Sequence, residues 1–214
     1  MARIGTNMTV QVQSTVAAAY TNITSITNGD PAVVLTATAH ALSTGDILKF
    51  AADAGIVEID GQVGRITTTA TNMFEIDDLD ATDYSTFTAG SYQKITAWHT
   101  LSNAQSASMP DGQPQKIDIT TLIDKTKQYA YGLADAPDGS ITGLYDPANA
   151  GVIAIKAATK SNSPLAFHIA WAGGQHTYFN ANVSGGSGFD LQQNDAAKAT
   201  VSFTPIKDVM DYAT

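Results

Sequence analysis

The 214-residue sequence has no cysteine. Disulfides, zinc–thiolate centres and thiol nucleophiles are therefore excluded together, and stability must come from packing or from neighbouring subunits. Charge is scarce too: 14% of residues are charged, against roughly 25% in an average globular domain. Cations are scarcest of all, with 11 Lys and Arg against 20 Asp and Glu and a formal net charge of −9. They are scattered, and no group is denser than the pair Lys125/Lys127. A protein that grips nucleic acid needs clustered Lys and Arg to neutralise phosphates, so this chain is not built for that task. No apolar run is long enough to span a bilayer. Met1–Asn7 lacks the apolar stretch of a secretion signal. The expectation is a soluble protein without membrane insertion, large enough for one generous core or two small ones.

Period-2 alternation and turn residues fill the chain, which predicts a mainly β fold. Met8, Val10 and Val12 alternate with polar residues near the start. Leu165, Phe167, Ile169 and Trp171 do the same further on, then comes the turn Ala172-Gly173-Gly174-Gln175, then Phe179, Ala181 and Val183. This pair reads as a hairpin. Ala199, Val201 and Phe203 mark a last strand, which Pro205 limits. One helix is predicted over Ala148–Thr159, with Asp146 as N-cap, Pro147 at the first helical position and Lys156 and Lys160 towards its C-terminal end.

Residues 20–95 read as a separate small unit. Strands are predicted at 23–27, 32–38, 46–51, 55–60, 62–69 and 72–76, with Asp60-Gly61 as a two-residue hairpin turn. This unit has ten acidic and three basic residues, a balance of −7, while the rest has ten and eight, a balance of −2. The asymmetry supports a small acidic β-barrel domain (20–95) inserted into a discontinuous domain of 1–19 and 96–214. Ser102–Gln115, rich in Ser and Ala and ending Met109-Pro110-Asp111-Gly112-Gln113-Pro114, reads as a long mobile loop that would order only on assembly.

Ile117-Asp118-Ile119-Thr120-Thr121-Leu122-Ile123-Asp124 leads into Tyr131-Gly132-Leu133-Ala134-Asp135, and then Ile141-Thr142-Gly143-Leu144-Tyr145-Asp146-Pro147 precedes the helix. This order resembles the tail tube (major tail) proteins of long non-contractile-tailed bacteriophages, the siphoviruses, as does the closing Phe203-Thr204-Pro205. Asp30-Pro31-Ala32-Val33-Val34, Ala39-His40-Ala41-Leu42-Ser43-Thr44-Gly45-Asp46 and Glu58-Ile59-Asp60-Gly61 resemble a small β-barrel recurrent in phage tail proteins. Ala41 departs from that pattern, where glycine often follows the histidine. The resemblance implies a tail-tube-type β-sandwich or barrel with one flanking α-helix, plus an inserted small all-β domain. It implies a structural virion protein, assembled in the host cytoplasm into hexameric rings that stack into a helical tube. The lumen would conduct double-stranded DNA non-specifically during ejection, and the other partners would be the tape measure, terminator and baseplate proteins.

No constellation predicts an enzyme, and no catalytic, cofactor-binding or metal site is assigned. His168 and His176 can face each other across the hairpin, but a third ligand is missing, and His40 and His99 read as turn and strand histidines. The acidic run Asp77-Asp78-Leu79-Asp80-Ala81-Thr82-Asp83 lacks the calcium-loop spacing and reads as solvated, with a weak cation site as the other reading. Gly185-Gly186-Ser187-Gly188 has no following lysine and reads as a turn. Trp98, Trp171, Tyr129, Tyr131 and Tyr178 read as core and interface aromatics rather than a sugar platform. The alternatives to a tube subunit are a single-ring terminator or baseplate protein and a carbohydrate-binding β-sandwich. For the tube reading, a weakly acidic lumen lined by Asp of the unit formed by 1–19 and 96–214 would let DNA slide, with 20–95 projecting outward.

Overall fold

A computed structural model describes residues 8–110, 112–123, 125–134, 136–186, 188–191 and 196–213. Met1–Asn7, Asp111, Asp124, Asp135 and Ser187, which figure in the sequence reading, lie outside these. The chain enters with β1 (Thr9–Val16) and builds β2 (Ile23–Ile26), β3 (Ala32–Thr36), β4 (Ile47–Ala54), β5 (Val63–Ala70) and β6 (Met73–Ile76). The long β7 (Ala89–Thr100) is followed by β8 (Ala104–Ser108), β9 (Pro114–Asp118), β10 (Tyr129–Ala134) and β11 (Gly139–Leu144). Then come α1 (Ala150–Ser161), β12 (Leu165–Ala170), β13 (His176–Gly185), β14 (Lys198–Pro205) and β15 (Met210–Tyr212). Thirteen strands join in the order β2-β3-β6-β5-β4-β7-β1-β12-β13-β14-β11-β8, with β15 added beside β13. The protein is mainly β, with one helix among the described residues.

Alternation explains where the core lies. In the β12–β13 hairpin Phe167 pairs with Phe179 and His168 with Tyr178. Phe167, Phe179 and Phe203 stack with ring centroids 5.2, 5.4 and 5.3 Å apart on the face that also takes Val12 and Ile155. Ala166 and Tyr178 point the other way, into a second core with Leu48, Phe74, Tyr92 and Tyr212. β7 pairs with β4 up to Lys94 and with β1 from Ile95 onward, so one strand runs through the junction of 20–95 with the rest.

Three sequence expectations are corrected. The helix starts two residues later than predicted, and its cap is Asn149, whose Oδ1 accepts the Gly151 and Val152 N–H groups at 2.9 and 3.3 Å. Asp146 instead accepts the Ala148 N–H at 3.0 Å in the preceding turn. Two possible Asx caps stand three apart here, and packing decides between them. Gly151 lies so close to the sheet that a Cβ there would come within 2.7 Å of Leu101 Cδ2.

The strand expected at 55–60 is a 3₁₀ turn at Val57–Ile59, and Asp60-Gly61 therefore does not join two strands directly. Ile56 and Ile59 are the buried pair, while Val57 is 59% exposed. A spacing of three suits a tight helical turn rather than a pleat. The loop expected over Ser102–Gln115 contains β8, whose Ala107 and Ser108 pair with Ile141 and Ser140. Its small polar residues gave no apolar alternation because β8 is an edge strand, largely exposed.

Phe179→Ala is expected to cost about 3–5 kcal/mol in urea unfolding, through loss of the stacked ring core. Asn149→Ala is expected to cost about 1 kcal/mol, the usual loss for an N-cap.

Candidate assembly surface

β9 and β10 form a two-stranded sheet of their own, in which Asp118 pairs with Tyr129 and Lys116 with Tyr131. Asp118 shapes the start of the connecting segment by accepting the Thr120 backbone N–H at 2.9 Å and its hydroxyl. Those bonds hold the Asp118 carboxyl below its usual range. Lys116 lies over the rings of Tyr129 and Tyr131, at 5.1 and 5.9 Å. The hairpin carries a large uncovered apolar surface. Leu122 and Leu133 are essentially fully exposed at 108% and 93%, Ile123 is 90% exposed, and Ile117, Ile119 and Tyr131 are about half so or more.

An isolated hairpin of this size is marginal in water and needs something to pack against. Exposed apolar side chains this dense mark an interaction surface. Strand β8 is the other unfinished feature: it ends the large sheet, pairing only with β11 among the described strands. Its outward N–H and C=O groups are available to another chain. Sequence reasoning quoted most of these hairpin residues as a family motif but missed that they are exposed. Ile117/Ile119 and Tyr129/Tyr131/Leu133 alternate as a half-buried strand pair would.

The other sequence-predicted residues are dispersed. His40 is buried in its turn, with Nε2 2.9 Å from the Ala70 carbonyl and Nδ1 accepting the Leu42 N–H at 3.0 Å. His99 meets Ser14 Oγ at 2.8 Å. His168 and His176 do come together, Nε2 to Nδ1 at 2.8 Å, on the face shared with Trp98 and Tyr178. Among the described residues no three His, Asp or Glu converge as a metal site would require. In the acidic run, Asp77 pairs with Arg65 at 2.7 Å and Asp80 accepts the Thr82 hydroxyl at 2.7 Å, which holds its carboxyl low. Gly185 and Gly186 turn the chain with φ of 95° and 74°. The five aromatics do not share one platform. Trp98 and Tyr178 sit together, Trp171 donates to Thr177 Oγ1 at 2.7 Å, and Tyr129 and Tyr131 lie on the hairpin.

Comparison with known proteins adds two findings. A family described as "Phage tail tube protein, TTP" matches residues 54–214. A solved structure titled "Tail of empty GTA particle computed with helical refinement, C6 symmetry" is similar over 55% of this chain and 88% of its own, at 12% identity and a TM-score of 0.43. No curated protein matches the sequence.

The histidine pair yields a test of this face. Gln11 Nε2 donates to Thr100 Oγ1 at 3.1 Å, which turns its Oε1 towards His168 Nδ1 at 2.7 Å. His168 Nδ1 therefore carries the proton, and its Nε2 accepts from His176. Burial, and secondarily the charge of His176, push His168 down from 6.5 to about 4. A lowered histidine stabilises the fold fully above its unfolded value and loses that contribution as pH falls from about 6.5 towards about 4. In urea unfolding, the advantage of wild type over His168→Phe is expected to shrink across that window. A gap independent of pH would show that His168 is not held neutral.

Proposed function

Because the chain belongs to the phage tail tube protein family, and so is a structural component of the virion, we propose that it forms hexameric rings stacked into a tube that conducts double-stranded DNA. The observation that carries this reading is the uncovered apolar hairpin β9–β10, together with the edge of β8 left unpaired among the described strands. A monomer leaves both unsatisfied, whereas a ring and its stacked neighbour supply covering surface and a strand edge. The lack of cation clusters in a chain of net charge −9 supports a wall past which DNA slides. Asp residues of the unit formed by 1–19 and 96–214, all of them in 96–214, line the lumen in this proposal, while 20–95 is an inserted acidic domain projecting outward. Tape measure, terminator and baseplate proteins are the neighbours at the tube ends, and assembly takes place in the host cytoplasm. No helix among the described residues is long and apolar enough to cross a membrane, and no catalytic step enters the reading.

Negative-stain electron microscopy of the purified protein at rising concentration tests it. Long hollow tubes with a regular axial repeat are expected, and isolated rings would favour a single-ring terminator or baseplate role instead. Leu122→Ser/Ile123→Ser should leave the unfolding midpoint of the monomer nearly unchanged. It should raise the concentration needed for tubes by about a hundredfold or more, given 1.5–3 kcal/mol per buried aliphatic side chain.

A further inference from the structure

Asn or Asp precedes glycine at four places in the chain, and the fold treats them differently. At such a pair the glycine nitrogen can close on the side-chain carbonyl carbon, because no Cβ crowds the approach. Asp60-Gly61 is held: the Gly61 N–H donates to the Phe50 carbonyl at 2.9 Å, and the Asp60 carboxylate accepts the Ala52 N–H at 3.2 Å. Asp138-Gly139 is held as well. Gly139 sits in the β11–β14 ladder opposite Phe203, whose ring comes within 2.2 Å of where a Cβ would stand. Asp111 of Asp111-Gly112 lies outside the described residues. Asn28-Gly29 is the exception, and it alone of the four carries an amide as leaving group. It lies in the bend between β2 and β3, with Asn28 exposed. Among the described residues the Gly29 N–H meets no acceptor. A Cβ on Gly29 would meet nothing nearer than 3.7 Å.

We propose that Asn28-Gly29 is a self-modification site, where Asn28 deamidates and thereby unties one loop of the 20–95 unit. The Gly29 backbone nitrogen loses its proton and bonds to Asn28 Cγ. The Cγ–Nδ2 bond breaks and ammonia leaves, which closes a five-membered succinimide. Water then opens either ring carbonyl, giving aspartate or, with the chain rerouted through the side chain, isoaspartate. Water is the one co-reactant. The exposed bond from Asn28 Nδ2–H to the Tyr84 carbonyl opposes ring closure. A net bond of about 1 kcal/mol slows it only about fivefold.

That bond also gives the reaction its effect. The Asn28 bend is tied to the acidic loop 79–84 by Asn28 on the Tyr84 carbonyl and by the Ala81 N–H on the Gly29 carbonyl at 3.0 Å. The Ala32 N–H adds a bond to the Leu79 carbonyl at 2.9 Å. A carboxylate at position 28 has no proton to donate, and it turns a negative charge on the Tyr84 carbonyl oxygen. It also takes the 20–95 unit from −7 to −8. Isoaspartate lengthens the backbone just where the Ala81 N–H must reach. A virion protein is not replaced after assembly, so the change accumulates with the age of the particle.

Wild type and Gly29→Ala are aged in warm, mildly alkaline buffer, each folded and in urea, and Asn28 is followed by peptide mass spectrometry with isoaspartate detection. Gly29 is not in the left-handed region and has room for a methyl group, so the variant keeps the fold. In folded wild type, Asn28 is expected to convert before every other asparagine, within about tenfold of its rate in the unfolded chain. Gly29→Ala should slow conversion roughly tenfold, an added barrier of about 1.4 kcal/mol. Asn28 left intact in the folded protein while the urea sample converts would overturn the proposal, and so would another asparagine converting first. In Asn28→Asp, amide exchange at 79–84 should quicken about fivefold. Exchange equal to wild type would refute the untying.

Discussion

The constraint on which the structure turns is the shared β12–β13 hairpin, whose alternate residues belong to different cores. Phe167 and Phe179 fill one side with Phe203 and the helix, while Ala166 and Tyr178 fill the other with Tyr92 and Tyr212. A slip of one residue in pairing would exchange the two sets and place His168 against the phenylalanine stack. Register is therefore fixed twice over, once by each core, and α1 and β15 can be positioned only after it is set. β15 shows the dependence. Tyr212, 1% exposed, reaches the second core from its place beside β13 and takes the Arg65 N–H at 2.9 Å on its hydroxyl. Arg65 covers the same ring at 4.4 Å.

Much of this was legible in the sequence, for a physical reason. Strands with one face in a core must alternate, and β1, β12, β13 and β14 do so over several residues with well-chosen turns between them. Where the signal failed, a different spacing or a missing core was responsible. Ile56 and Ile59 are three apart and belong to a 3₁₀ turn, so reading them as a strand ignored the period. Ala104 of β8 touches a core but residues 105–108 are exposed, so its Ala and Ser residues carried no pattern and looked like a loop. The helix cap was displaced because Asp146 and Asn149 are equally competent in sequence, and only the approach of Gly151 to Leu101 and Val12 separates them.

The assembly surface shows a different limit. Ile117, Ile119, Tyr129, Tyr131 and Leu133 alternate as plainly as any core strand, yet they stand exposed on the single chain. Periodicity says that a face will be covered, but it does not say by which molecule. In a subunit of a larger structure the two cases have the same sequence signature, and only the fold distinguishes them. The histidine pair is the converse: the sequence suggested that the two meet across the hairpin, and they do so as diagonal neighbours, with His168 opposite Tyr178 and His176 opposite Ala170, while the neutral state of His168 depends on burial and on the orientation of Gln11.

β7 has a mechanical consequence. Its 12 residues extend roughly 40 Å at 3.3–3.4 Å each, bonded to β4 along the first half and to β1 along the second. A pull along this strand, tending to draw residues 20–95 away from the rest, loads the rungs of both ladders in shear, so many must yield together rather than one after another. A bend or tug delivered to residues 20–95 is thereby passed to β1 and the sheet behind it with little slack. The two parts of the molecule will tend to creep, stretch and recoil as one body.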